Sequence, residues 1–358
     1  MGCFVMKIIK EVIEGYNTIR VTDDEYSYTY GYYSNNSWID DHRIILNKHI
    51  RGKDSEGSYV LIDIENETEE VLSLGDDIFS TYTESVVYGN LFYYIMNKTE
   101  FMCYNVDTKE IKKICDVLDG CHFPHMTSDG KYVNFAYYGE EDKELGKCFV
   151  VDIQKGTCEK VFEKKFNKPF VHANHMMICP TDKDKVFFSH EGDTFYISNR
   201  LWLYEKDKGM RSIAKQRLGE NGYLIDCFGH ESWAADGKGL YFVKYDCSPE
   251  GPKGVGYVDL EGNQQTAIYG KYPYWHVCAA PDGRLLAADC QSGERSIVAV
   301  IDTKTGDEIK IAQVGFAAPH PAHPHPSFSP NAKTIAYHDL LDDKLTVCFA
   351  NIKDIIKE

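Results

Sequence analysis

The chain lacks a basic surplus, a long apolar run, a paired-cysteine motif and a serine-hydrolase elbow. Its 39 Lys and Arg stand against 55 Asp and Glu, a formal charge of −16. Nucleic acid is therefore excluded as a partner, because binding it requires basic charge to neutralise phosphates. No apolar stretch approaches the roughly 20 residues of a membrane helix, so no membrane partner is expected. The opening MGCFVMKIIKEVIEG is interrupted at Lys7 and Lys10 and has no small-residue cleavage site after it. Met1-Gly2 begins like a myristoylation signal, but Met6 stands where Ser or Thr is needed. Twelve cysteines are scattered with no C-x-x-C pair, so reduced thiols, acting mostly as small core hydrophobes in a cytoplasmic protein, are the expectation. The absence of G-x-S-x-G argues against an attached serine peptidase.

What is present is repetition. Tyr (25) and Phe (18) are abundant, a bias toward strands. A hydrophobic strand, an acidic or amide residue and a polar turn recur at Asp63, Asp107, Asp152, Glu205, Asp259, Asp302 and Asn351, 48 residues apart on average. A second turn signature lies between them: SDGKY at Ser128, PTDKDK at Pro180, AADGKG around Ala235, APDGRL at Ala280 and SPNAKT at Ser329. Two turns per repeat imply about four strands. Seven such units predict an all-β, seven-bladed β-propeller rather than a sandwich or solenoid. A single domain over 1–358 is expected, with blades near 24–75, 76–118, 119–165, 166–217, 218–269, 270–315 and 316–358. The N-terminal segment is placed to complete the last blade.

Eight of the 13 histidines lie between 172 and 325. His175, His230, His276 and His325 precede Pro180, Ala235, Pro281 and Pro330 of the second turn signature by five residues each. Equal offset in a repeat means an equal place in the blade, here the strand that lines the channel of a propeller. One such histidine would ordinarily be structural; four at one repeat position point to a shared site. In FAAPHPAHPHPSFSP, His323 and His325 face the same side of an extended strand stiffened by Pro324 and Pro326, and His320 lies three residues upstream. Neutral imidazoles are common ligands of divalent transition metals. Arg200, in SNRLW, reads equally as a structural ion-pair residue or as a fork for a substrate carboxylate. His190 and Glu191 read first as a hydrogen-bonded core pair, and His190 is kept as a candidate for binding substrate.

Four of these segments resemble the oligogalacturonate lyases, a family of polysaccharide lyases: FFSHEGDTFYISNRLW (187–202), GHESWAADG (229–237), WHVCAAPDG (275–283) and HPHPSFSP (323–330). The H-P-H-P-S-F run is the most specific of them. The resemblance extends over roughly 25–355 but is generic before 170. It implies a Mn²⁺-type site with ligands His276, His323 and His325, a general base at His230, a substrate-binding arginine at Arg200 and a funnel histidine at His175. The family's fourth ligand, a glutamine, falls on His320, and a fourth imidazole would favour Zn²⁺, Co²⁺ or Ni²⁺ over Mn²⁺. The implied activity, in pectin degradation, is β-elimination of a small anionic oligosaccharide such as digalacturonate, giving 4,5-unsaturated and then 4-deoxy-5-keto uronates. An enzyme for a different uronide and a non-catalytic, metal-stabilised binding module are the alternatives.

Overall fold

The computed structural model describes residues 6–50, 57–75, 84–137, 144–193, 195–291 and 294–355. Met1-Gly2 lies outside them. Every named element among the described residues is a strand, and the strands form seven antiparallel sheets, the blades of a β-propeller. Six blades have four strands and span 26–71, 85–116, 121–164, 172–212, 228–269 and 274–315, each paired in sequence order from one edge to the other. The seventh has five: Ser327–Phe328, Thr334–Leu341 and Lys344–Asn351, followed by the N-terminal strands Tyr16–Thr22 and Lys7–Ile13. Thr18–Val21 pairs with Val347–Ala350, so the N-terminal segment completes the last blade, as expected.

The repeated polar residues shape the turns by catching backbone N–H groups. Asp63 Oδ1 accepts from the amides of Glu65 and Asn66, Asp302 Oδ1 from Lys304 and Asn351 Oδ1 from Lys353. In blade 2 this role falls to Asn105, which accepts from Asp107 and Thr108, and not to Asp107. An amide oxygen does the same work as a carboxylate, so the repeat there starts two residues earlier than the acidic residue suggests. In the second signature Asp129, Asp236, Asp282 and Asn331 each accept from the amide two residues on.

The chain divides into two compact units, 1–94 with 103–111 and 278–358, and 95–102 with 112–277. In the first, Val21, Tyr28, Trp38, Ile44, Val347 and Phe349 pack between blades 7 and 1. In the second, Phe187, Leu201, Phe228, Leu240 and Phe242 join blades 4 and 5. First strands are largely buried, while outer strands such as Ile111–Asp116 are exposed. Burial of one face per strand removes most apolar area from water and fixes register, because a one-residue slip would expose it.

The first strands of blades 3, 4 and 5 share an irregularity. Their pairing shifts between His122 and His125, between Asn174 and Met177, and between Gly229 and Ser232. At the bulges Phe123, His175 and His230 have φ of 52°, 49° and 48°, and His325 in blade 7 has 43°. His175, His230 and His325 are three of the four histidines of equal offset; His276 is not among the residues of positive φ. A bulge breaks the two-residue alternation and re-aims the side chain, a device common next to active sites.

A histidine metal centre and its neighbours

His276, His323 and His325 are 1%, 4% and 1% exposed, and each offers one ring nitrogen within 4.8 Å of the others. They form the one such group of His, Cys, Asp or Glu among the described residues. His276 rides on the strand Tyr274–Ala279, while His323 and His325 lie in the extended run before Ser327–Phe328. Its prolines have no N–H, so neighbouring groups hold the run largely through its carbonyls. Pro324 O accepts from the His338 amide, His325 O from the Tyr30 hydroxyl at 2.6 Å, and Pro326 O from Cys278 Sγ. The His325 amide donates to Asp289 Oδ2 at 3.0 Å.

The tautomers follow from these bonds. Tyr30 N–H donates to His338 Nε2, so His338 Nδ1–H donates to His323 O. Burial keeps His338 uncharged, with a pKa lowered to about 4. His323 Nε2 lies 2.9 Å from Ala318 O, a group that only accepts, so Nε2 carries the proton and Nδ1 the lone pair. Burial lowers the pKa of His323 as well. Three convergent imidazole nitrogens with the buried Asp289 beside them suit a divalent transition metal.

A second cluster adjoins His276. The His230 ring centroid lies 4.1 Å from that of His276, and its Nδ1 is 2.8 Å from the Tyr245 hydroxyl. Gly229 makes this possible, because a Cβ there would collide with that hydroxyl. Trp275 stacks on Tyr245 at 4.6 Å and lies 5.4 Å from His230. The residue after His230, Glu231, is buried and accepts from Arg200 Nε at 2.7 Å. Arg200, 4% exposed, also grips Glu191 through both terminal nitrogens at 3.0 and 3.1 Å. Burial disfavours the guanidinium charge, but Glu231 and Glu191 outweigh it and raise the Arg200 pKa. Burial would likewise raise Glu191, yet Arg200 and His175 hold it at about 2. His175 Nε2 stands 3.6 Å from Glu191.

No family model matches the chain. Two curated proteins do: an oligogalacturonide lyase of Pectobacterium atrosepticum, 25% identical, and an oligogalacturonate lyase of Dickeya dadantii, 26% identical, each aligned over 85% of both chains. The chain is thus similar to oligogalacturonate lyases over most of its length. Solved oligogalacturonate lyases share the fold over nearly the whole length. An oligogalacturonate lyase in complex with manganese matches with a TM-score of 0.81 over 99% of both chains at 18% identity. One from Vibrio parahaemolyticus matches with 0.80 over 99% of this chain and 98% of its own, also at 18% identity.

Four further candidates, His320, Arg200, His190 and Glu191, each have defined neighbours. His320 is exposed and lies near the triad, its ring stacked 5.2 Å from that of His325 and 4.3 Å from that of His323, but it is not in the convergent group. A glutamine is nevertheless present: the Gln291 amide meets His323 Nε2 at 3.0 Å, accepting its proton when Oε1 is turned inward. Arg200 is a carboxylate fork, but the carboxylate it holds is that of Glu191. His190 and Glu191 do not form a pair. As neighbours on a strand they face opposite sides, Glu191 toward Arg200 and His190 toward Phe170 O at 2.7 Å. Sequence reading missed Tyr30, Tyr245, Asp289 and His338, which come from distant segments. Glu231, inside the GHESW motif beside His230, carried a readable signal.

Proposed function

We propose that the chain is a metal-dependent lyase that cleaves short oligogalacturonides by β-elimination, giving 4,5-unsaturated uronates that rearrange to 4-deoxy-5-keto products. The observation that carries this is the convergence of three buried imidazole nitrogens beside His230. His276, His323 and His325 would hold the metal, with His320 standing beside them to complete the proposed ligand set. Mn²⁺ is the proposed ion, supported by the manganese complex of the related structure. When bound, the metal supplies Lewis-acid neutralisation of the uronate carboxylate and of the charge that builds up when the neighbouring C5 proton leaves.

The remaining chemistry falls to this chain's own residues. With His230 Nδ1–H donated to the Tyr245 oxygen, Nε2 carries a lone pair and takes the C5 proton. The Trp275 ring lies 5.4 Å from that of His230 and stacks on Tyr245. The glycosidic oxygen on C4 then departs with the bonding electrons, and no water enters the bond. Arg200 donates three of its five N–H groups to Glu191 and Glu231. It therefore acts less as a bare anion receptor than as a hub, with two N–H groups left for the developing negative charge. His175 is proposed on the substrate side of the site, and His190, on the opposite face of its strand, is proposed to bind substrate away from the reacting sugar. The proposed compartment is the cytoplasm, where fragments small enough to be imported would meet the enzyme. Among the described residues no helix is long and apolar enough to cross a membrane.

The test is ultraviolet absorbance on mixing metal-loaded protein with digalacturonate. The wild type is expected to form the unsaturated chromophore, and His230→Ala to lose at least about 100-fold in kcat, the usual weight of a general base. A His230→Ala variant as active as wild type would remove His230 from the mechanism.

A further inference from the structure

Between blades 3 and 4, on the far side of the strand that carries Glu191, lies a cavity of about 450 Å³, the size of a small-ligand site. Lys164, Phe166, Lys168, His190, Asn199 and Trp202 line it. Its walls are fixed. Phe166 stacks on His190 at 3.8 Å and meets Trp202 edge-on at 5.2 Å, and the Trp202 indole donates to Asn199 O at 2.7 Å. Gly192, at φ 152°, admits the Phe170 ring that shuts one side, since a Cβ there would lie 2.5 Å from it.

Two features set this cavity apart in so acidic a chain. First, KKFNK concentrates three lysines in 164–168. Lys165 pairs with Glu144 at 2.6 Å, but Lys164 lies over the Phe166 and Trp202 rings at 4.8 and 5.3 Å, and Lys168 makes no ion pair among the described residues. Second, aromatic rings continue outward from it. Tyr196, 60% exposed, stacks on Phe170 at 6.3 Å and meets Tyr223, 57% exposed, at 6.3 Å. Exposed rings in a row are a binding surface rather than a packing one. Ring faces beside ammonium groups suit a flat-sided, hydroxylated ring bearing a carboxylate.

We propose that this cavity is a second uronate-binding subsite, which holds a sugar of the oligosaccharide other than the one that reacts. Arg200 connects the two sites. Its side chain serves the Glu191 and Glu231 cluster, while its carbonyl accepts from the His190 amide at the cavity wall. Trisaccharides and longer chains engage the cavity through Lys164 and Lys168; disaccharides do not reach it. The ligand class rests on the lyase reading, so the test separates the two.

In metal-loaded protein, kcat/KM is measured on di- and trigalacturonate for wild type and for Lys164→Met/Lys168→Met. Removing a charge-assisted hydrogen bond at a half-buried site predicts a roughly tenfold fall on trigalacturonate. Digalacturonate stays within about twofold, as expected for separate sites. Lys164→Arg/Lys168→Arg restores most of the loss. An equal fall on both substrates, or none on either, overturns the proposal. If wild type cleaves neither, the lyase reading has failed and binding decides alone. D-galacturonate, which has no glycosidic bond to eliminate, is titrated by saturation-transfer NMR. Binding weakened roughly tenfold by the double methionine variant upholds the subsite. Binding that is absent or unchanged overturns it, and so does equally strong displacement by inorganic phosphate, the mark of a generic anion site.

Discussion

Tyr30→Phe removes one oxygen and tests whether the histidine run is held from outside. Tyr30 is 2% exposed, with its hydroxyl 2.6 Å from His325 O and 3.0 Å from Ala336 O. Phenylalanine keeps the ring, and with it the 4.2 Å stack on His338, so packing is preserved. The hydroxyl has one proton, placed best for His325 O, so that buried carbonyl loses its donor, which costs about 1–3 kcal/mol. For 358 residues, an unfolding entropy of about 2.1 cal/mol/K per residue converts a loss of about 2 kcal/mol into a fall of about 3 °C in Tm. The larger effect is on the metal. Outer groups that fix a ligand's orientation are worth about 10–100-fold in affinity, and this hydroxyl fixes the peptide of His325. Chelator competition gives the affinity and calorimetry the Tm. A Tyr30→Phe protein that binds metal within about twofold of wild type would show that the run holds its shape without the tyrosine, and the reasoning fails.

Other consequences are as direct. His325→Ala removes one of three ligands, so the rise in Tm on adding Mn²⁺ or Zn²⁺ to chelator-treated protein, expected for wild type, is lost; an undiminished rise would move the metal elsewhere. Lys244 and Asp226 are buried with Nζ 2.5 Å from Oδ1, so Lys244→Met strands a carboxylate and costs about 3–5 kcal/mol by denaturant unfolding, less to the extent that Arg217 shields it. Burial would raise Asp226, but Arg217 and Lys244 hold it at about 2, below its ordinary 3.8. Its contribution is thus complete above pH about 4 and lost as pH falls toward 2, and Asp226→Asn flattens that limb of the stability curve. His125 acts in the same sense at higher pH: burial lowers its pKa from 6.5 to about 4, so the unfolded chain binds its proton first. Stability falls by up to about 1.4 kcal/mol per pH unit from pH 6.5 down to 4 on its account, and His125→Gln reduces that slope in pH-dependent urea melts.

The blades were legible because a turn residue at the end of a strand catches an amide two or three positions on, a local act written in local sequence. The repeats mark it where Asp63, Asp152, Asp302 and Asn351 do the catching, and slip at blade 2, where Asn105 does. The four histidines at one offset were legible for the same reason, since a repeat carries position with it. What the offset could not convey was direction. The bulges with φ near 50° send His230 out of the pleat and Glu231 inward to Arg200, and a bulge depends on pairing with the next strand. Tyr30 reaches His325 across 295 positions of sequence, and Asp289 and His338 depend on which blades adjoin. The misread His190–Glu191 pair is different: strand alternation alone separates the two, and the run FFSHE was readable as a strand.

The most direct test of the central claim is to follow digalacturonate with chelator-stripped and metal-restored protein and to weigh the products. A metal-dependent lyase gives no turnover when stripped and recovers with Mn²⁺, and the masses of its products sum to that of the substrate. Turnover that survives stripping, or products that together carry one added water, would contradict it.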